Sequence, residues 1–329
     1  MTTPAASVSL AELQAPVASR LAQVPGEIKR IVEADFGLIA EVNSHLLQGQ
    51  GKLFRPTLLL LSDEATGARE TRATTLAAVL ELIHLATLVH DDSVDHSVLR
   101  RGMPTINALF SHQVSVIMGD YLYSRAVVEL VRLEDLEALR VLARVTNEMT
   151  VGEMRQLLAH DRLLFTEEQY DLLIRAKTAS LFAAACEVGA LQAGPTERAA
   201  LRRFGEALGM AFQIVDDLID YTEDEAVTGK PTGADLREHK VTLPLIAALP
   251  GMTPAERRAV EELMAEPEPQ DARIAAVIAA VDRAGGLTYA RARASRLADR
   301  ADRELDSIPA GPARDALRAC ITHSVERRR

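Results

Sequence analysis

The chain has 329 residues, 48% of them hydrophobic, with 18 Gly and 14 Pro, a composition that supports a large buried core and excludes intrinsic disorder. Its formal net charge of -10 argues against a general nucleic-acid binder, because a phosphate backbone is held by clustered Lys and Arg. Two cysteines, Cys186 and Cys320, are too few and too far apart for a disulfide framework or a zinc site, and fit a reducing compartment.

Aromatic residues make up 4% and Trp is absent, while Ala, Leu, Arg and Glu dominate, as in closely packed helices. Apolar residues recur at helical intervals over 10–23, 28–47, 55–65, 72–95, 105–132, 134–160, 167–193, 197–221, 240–249, 255–265, 271–304 and 312–327. This spacing predicts a dozen helices and no sheet. The breaks carry turn chemistry: GQGK at 49–52, RRGMP at 100–104, AGPTE at 193–197, VTGKPTG at 227–233 and LPGMTP at 249–254. Thr166 before Glu167 and Glu168, and Thr196 before Glu197, read as helix starts. Segments this apolar on more than one face must be surrounded by other helices, so the fold class is all-α, a large helical bundle. No Ser/Gly/Pro-rich linker divides the chain, and residues 1–329 read as a single domain. The N-terminal stretch MTTPAASVSLAELQAPVASRL lacks a leader's basic start and apolar core, and no run approaches the ~18 residues of a membrane span. A cytoplasmic location with no transmembrane segment is expected.

One short pattern occurs twice. Asp-Asp-x-x-Asp appears at Asp91, Asp92 and Asp95 and again at Asp216, Asp217 and Asp220, each time at the end of a long apolar helix. Residues four apart lie about 40° apart around a helix axis, so each triplet projects from one broad side, where like charges repel. A lone triplet reads as a solvated helix end. Two copies facing one another across a cavity need cations, and oxygen-only ligands suit Mg²⁺, which commonly bridges carboxylates to a diphosphate.

The unusual cations fit diphosphates too. GKLFRP supplies Lys52 and Arg55 at a loop-to-helix start; Arg100 and Arg101 follow the first triplet, and Lys177, Lys230 and Lys240 come later. Each alone reads as a solvated charge, but together with two metal triplets they can neutralise two anionic substrates, one through Mg²⁺ and one through direct contacts. On this reading the arginines stand apart from the aspartates because they bind phosphates. His84 sits two turns before Asp91 on nearly the same face, where a packed core histidine is the plainer reading and a phosphate donor the functional one. Near the first triplet, Thr87, Ala86 and Ile83 present no aromatic ring to block a groove between helices. A metal-bound diphosphate above apolar walls describes an enzyme that ionises or elongates an isoprenoid.

With these residues the chain resembles the trans-isoprenyl diphosphate synthases, also called the polyprenyl synthetase family, over most of its length. The matching stretches are GKLFRP, ELIHLATLVHDDSVDHSVLRRGMPTINALF, MGDYLYSRA, GEMRQL, KTASLF and GMAFQIVDDLIDYTEDEAVTGKPTGADLREHKVTLPLI. The resemblance implies an isoprenoid synthase fold with a central cavity, a homodimer, and Mg²⁺, with three ions beside the bound diphosphate. Carried over by position, both aspartate triplets hold metal against an allylic diphosphate. Arg100, Lys177, Thr178, Gln213, Lys230 and Lys240 match the allylic side; Lys52, Arg55, His84 and Arg101 match the isopentenyl diphosphate pocket, with Gly51 letting backbone approach the same phosphate. The implied reaction is loss of diphosphate, attack by the isopentenyl double bond on the allylic cation, and proton loss to the released diphosphate.

The family's size-setting positions, four and five residues before the first aspartate, are Thr87 and Ala86 here, both small. They imply a long product, as for quinone side chains, with Ile83, Tyr121, Leu122 and Tyr123 as residues able to place a floor. Leu53 and His239 stand where many members carry Arg and Gly. A geranylgeranyl or farnesyl diphosphate synthase is the alternative. A terpene cyclase shares the fold but mixes Asn, Ser and Glu in its second motif and needs no Lys52, Arg55 and Arg101 pocket. A His-Asp phosphohydrolase, prompted by VHDD, needs further metal histidines; His45 and His112 have no evident arrangement. A non-catalytic partner subunit would lack one aspartate motif.

Overall fold

The computed structural model describes residues 9–49, 51–69, 71–100, 102–158, 162–222 and 232–326. The all-α bundle expected from the sequence is the one found: nearly everything described is helical. Two short helices, α1 (Leu10–Gln14) and α2 (Ala18–Leu21), precede α3 (Val24–Ile31), α4 (Gly37–Gln48), α5 (Phe54–Ala65) and α6 (Ala73–Val94). The helix expected over 10–23 is broken because Pro16 sits in a 3₁₀ turn, Ala15–Val17, where its missing N–H interrupts the α ladder. The helix expected over 28–47 stops at Ile31 and restarts at Gly37.

A two-stranded hairpin follows α6, contrary to the expectation of no sheet. Its strands, β1 (Leu99–Arg100) and β2 (Met103–Pro104), are antiparallel, with Arg100 opposite Met103. Gly102, at φ +76°, makes the turn in a conformation that costs glycine little. Then come α7 (Ile106–Leu109), α8 (His112–Arg132), α9 (Leu136–Leu158), α10 (Glu167–Ile174), a five-residue π-turn (Arg175–Ala179), α11 (Ser180–Gly189) and α12 (Pro195–Thr222). Helices Ala234–Arg237, Leu243–Ala248, Pro254–Ala265, Asp271–Arg283, Gly286–Glu304 and Pro312–Val325 complete the bundle. The single helix expected over 271–304 is two, because Gly285 takes φ +81° and ends the first.

Two apolar cores stand side by side. The first gathers α1 to α9 with α11 and the early part of α12, including Leu58, Leu59, Leu60 and Leu61, all fully buried. Four consecutive buried leucines put apolar side chains on every face of α5, so it must be enclosed by neighbours; α6, α11 and Pro312–Val325 enclose it. The second core joins Tyr170 and Ile174 to Met210–Tyr221 of α12 and to the C-terminal helices. Helix α12 therefore runs through both. Helix α6 is long and apolar enough to cross a membrane by length and composition, which the sequence reading did not anticipate, but 67% of that window is buried inside the fold. Its apolar faces are spent on neighbouring helices.

Candidate active site

Helix α6 delivers the first triplet at its C-terminal end, where the amide of Asp95 donates to the carbonyl of Asp91 at 2.8 Å. Asp92 is buried and Asp95 exposed. Burial pushes the Asp91 carboxyl up to about 6; Lys177 opposes the shift, and Glu153 and Asp95 add to it. Lys177 Nζ lies 3.6 Å from Asp91 and 2.7 Å from Glu153, so two carboxylates share one cation.

Arg100 does not stand apart from the aspartates, as the sequence reading expected. The hairpin turns it back eight residues, and its Nε donates to Asp92 Oδ1 at 2.9 Å and Oδ2 at 2.8 Å. A buried carboxylate demands a partner, and the guanidinium fork supplies one. Arg101 and Lys230 lie outside the described residues.

Helix α12 carries the second triplet at the other side. Asp217 is buried and held at both oxygens: Tyr170 Oη donates to Oδ2 at 2.5 Å and Gln213 Nε2 to Oδ1 at 2.9 Å. Thr178 Oγ1 in turn donates to Gln213 Oε1 at 2.8 Å. Burial, reinforced by Asp235, pushes Asp217 well above the usual carboxylate range, while the two donors pull it down. Asp220 accepts the amides of Ala234 and Asp235, each at 3.0 Å. It thereby fastens the start of helix Ala234–Arg237 to α12, where the Gly233 amide also donates to the Asp220 carbonyl at 2.8 Å.

Lys177 and Thr178 come from the π-turn. A π-turn inserts a residue into the helical register and is frequent at functional sites. Here it is wedged between glycines. A Cβ at Gly152 of α9 would lie 2.7 Å from Ala176 Cβ, and one at Gly209 of α12 would lie 2.6 Å from Ala179 Cα. Helix α10, whose C-terminus leads into the turn, starts with a capping box of Thr166 and Gln169, confirming the sequence-level start signal.

Between the triplets opens a cavity of about 640 Å³. Asp95 reaches it from one side and Asp217 from the other, with Lys177, Thr178, Gln213 and Lys240 between them. Lys240 Nζ donates to Glu238 at 2.5 Å and lies in the field of Asp95 and Asp235. His239 has φ +56°, the left-handed region that glycine tolerates best, and its ring meets the Glu266 carbonyl at 2.7 Å. Among the described residues no three carboxylates, imidazoles or thiols form a ready-made metal cage; Asp92 is turned onto Arg100 and Asp217 onto Tyr170.

The second set of predicted residues gathers around the start of α5. Leu53 caps that helix at φ +49°, Lys52 is exposed, and Arg55 Nη1 meets His84 Nε2 at 3.0 Å. The Arg55 guanidinium lies 4.9 Å over the Phe182 ring, a cation–π contact. Phe182 in turn packs against Phe212, the neighbour of Gln213. Ile83 and Ala86 are buried in the first core, and the Thr87 hydroxyl bonds back to the His84 carbonyl at 2.7 Å. Tyr121 spends its hydroxyl on the Val32 carbonyl at 3.1 Å, and Leu122 is buried.

Sequence reasoning missed Glu153, Tyr170, Asp235 and Glu238. Glu153, Asp235 and Glu238 lie within stretches already singled out, GEMRQL and GADLREHK. Tyr170 carries no signal beyond a single aromatic residue in a short polar helix.

The polyprenyl synthetase family pattern matches residues 37–281. The chain is 39% identical over 308 residues to the all-trans-nonaprenyl-diphosphate synthase (geranyl-diphosphate specific) of Rhodobacter capsulatus, covering 93% of this chain and 94% of that one. It is 36% identical to the octaprenyl diphosphate synthase of Escherichia coli K12, covering 98% of this chain and 100% of the other. Among solved structures, a polyprenyl synthase from Caulobacter crescentus complexed with calcium and isoprenyl diphosphate superposes with a TM-score of 0.93 at 35% identity, covering 99% of this chain and 100% of that one.

Proposed function

Because the chain belongs to the polyprenyl synthetase family, we propose that it condenses isopentenyl diphosphate head-to-tail with an allylic diphosphate, releasing diphosphate and a long-chain trans-polyprenyl diphosphate. The observation that carries this reading is the cavity to which Asp95 and Asp217, from the two aspartate triplets, both contribute. Residues 1–329 act as one catalytic domain on this reading.

The donor set fits a hard divalent cation. Asp91, Asp92, Asp95, Asp216, Asp217 and Asp220 offer only oxygen, and burial holds Asp91 and Asp217 above the usual carboxylate range, a cost that a cation relieves. Mg²⁺ is commonly held by a few carboxylates, waters and substrate phosphates rather than by an all-protein shell. Three ions per site is the count taken from the family resemblance. When bound, Mg²⁺ supplies neutralisation of the negative charge that builds on the leaving diphosphate.

The protein's own groups do the rest. Lys177, now shared by Glu153 and Asp91, and Lys240, beside Glu238, turn to diphosphate oxygens; Arg100 joins them from Asp92, and Lys230 from outside the described residues. Thr178 and Gln213 keep Asp217 oriented. Lys52, Arg55, His84 and Arg101 grip the isopentenyl diphosphate, with Gly51 leaving its backbone amide accessible. The allylic C–O bond breaks with its electron pair leaving on diphosphate; the isopentenyl double bond attacks the cation, and the departed diphosphate accepts the proton.

Small side chains at Ala86 and Thr87, and the long-chain names of the similar enzymes, support a long product over a farnesyl or geranylgeranyl one. A homodimer is supported by α8, which exposes Ile117 (62%), Val128 (43%) and Val131 (60%) along its length, an apolar stripe that would cost free energy in water. A cytoplasmic enzyme acting on two soluble diphosphates is the setting we infer.

The test is to incubate the purified protein with isopentenyl diphosphate, farnesyl diphosphate and Mg²⁺ and to separate the products by length. Elongation well beyond twenty carbons is expected, with Ala86→Phe stopping earlier because its ring fills the groove. No elongation at all would sink the activity; an unchanged product from Ala86→Phe would put the floor elsewhere.

A further inference from the structure

We propose that Tyr170 is a positioning residue for the metal-binding carboxylate Asp217, the outer end of a hydrogen-bonded brace that also runs through Gln213 and Thr178. The inference rests on the metal role given to Asp217 above. Tyr170 is buried, and its hydroxyl approaches Asp217 Oδ2 at 2.5 Å. From the opposite side Gln213 donates to Oδ1, and Thr178 fixes the Gln213 amide by donating to its carbonyl oxygen. The carboxylate decides the amide orientation: it only accepts, so Nε2 faces Asp217 and Oε1 is left to accept from the Thr178 hydroxyl.

The carboxylate is thus clamped between two donors, one from each side. Each oxygen keeps a further lone pair, and the clamp sets the direction in which those lone pairs point into the cavity. The two braces start from consecutive parts of one segment. Tyr170 lies in α10 and Thr178 in the π-turn four residues after that helix ends. In a continuous α-helix, residues eight apart differ by about 80° around the axis. The inserted residue of the π-turn changes that relation and lets both side chains address α12.

Losing a partner that orients a ligating side chain costs metal affinity or activity, and a donor that touches only Asp217 should act through affinity. Tyr170→Phe keeps the ring that packs in the second core and removes only the donor. The experiment titrates Mg²⁺ into protein mixed with inorganic diphosphate, by calorimetry, for wild type and Tyr170→Phe. In parallel, isopentenyl diphosphate binding is measured without metal. A rise of roughly tenfold in the Mg²⁺ half-saturation is expected, with metal-free isopentenyl diphosphate binding unchanged. In turnover assays saturating Mg²⁺ should restore most of kcat, a recovery that a generally loosened fold would not show.

An unchanged Mg²⁺ requirement in Tyr170→Phe, with wild-type uptake intact, overturns the proposal alone. Absence of Mg²⁺-dependent diphosphate uptake in wild type overturns the metal assignment and this proposal with it. Should Tyr170→Phe fail to fold, Tyr170→Phe combined with Asp217→Asn removes the buried charge as well. That pair must show the same Mg²⁺ requirement as Asp217→Asn alone, and a further rise would show that Tyr170 acts elsewhere.

Discussion

Burial lifts the Asp91 carboxyl to about 6 from an ordinary value of 3.8, so the folded protein binds that proton more tightly than the unfolded chain. The resulting stabilisation is complete below the unfolded value and is lost as pH rises through 6, a loss of about 3 kcal/mol by neutral pH. Asp91→Asn has no such proton to lose. In metal-free buffer the variant should therefore gain about 2 kcal/mol on wild type between pH 4 and pH 8, read from denaturant unfolding; a pH-independent difference would contradict the burial account. Because the metal requires the ionised form, Mg²⁺ half-saturation should worsen below pH 6. At this scale the sequence was readable where a pattern repeated. The doubled Asp-Asp-x-x-Asp pattern exposed six carboxylates, and KTASLF exposed Lys177 and Thr178. It was opaque where a turn redirects a side chain: only the hairpin around Gly102 brings Arg100 onto Asp92. His239 lies between. Its departure from Gly was visible in the sequence, but the left-handed backbone at φ +56°, which favours Gly at that position, was not.

Among elements the π-turn is the one that periodicity could not find. Apolar spacing over 167–193 reads as one helix, because a single inserted residue shifts the register without breaking the pattern. Its glycine walls open two stretches already singled out, GEMRQL and GMAFQIVDD, but nothing in the sequence says what Gly152 and Gly209 pack against. Adding a methyl group at Gly209 would bring Cβ to 2.6 Å from Ala179 Cα and 3.0 Å from Phe182 Cβ. Overpacking of this kind costs about 1–3 kcal/mol. Gly209→Ala should lose that much stability in denaturant unfolding and also slow turnover, because the shifted turn carries Lys177. Wild-type values for both would show that the contact yields without consequence. The break at Gly285 is a different case. The Gly285-Gly286 pair stood in plain view, but helical spacing continued on both sides and hid it.

At the level of the whole molecule, composition and helical apolar spacing announced an all-helical protein, and the twin acidic motifs announced a cavity between two helix ends. What composition could not supply was the division into two cores or which helix faces remain uncovered. The apolar stripe on α8 bears directly on the proposed homodimer. Replacing Val128 and Val131 together by Glu should convert a sedimenting dimer to monomer, since like charges would oppose each other across a two-fold contact. An unchanged sedimentation coefficient would put the contact on another face. Helix α12 has a different consequence. It lends its first half to one core and its second half, with Asp217, to the other. Neither core can melt while the other survives intact, for the same rod spans both. Heating should therefore extinguish catalysis and helicity together, in one transition, with no warm interval in which a folded but inert protein accumulates.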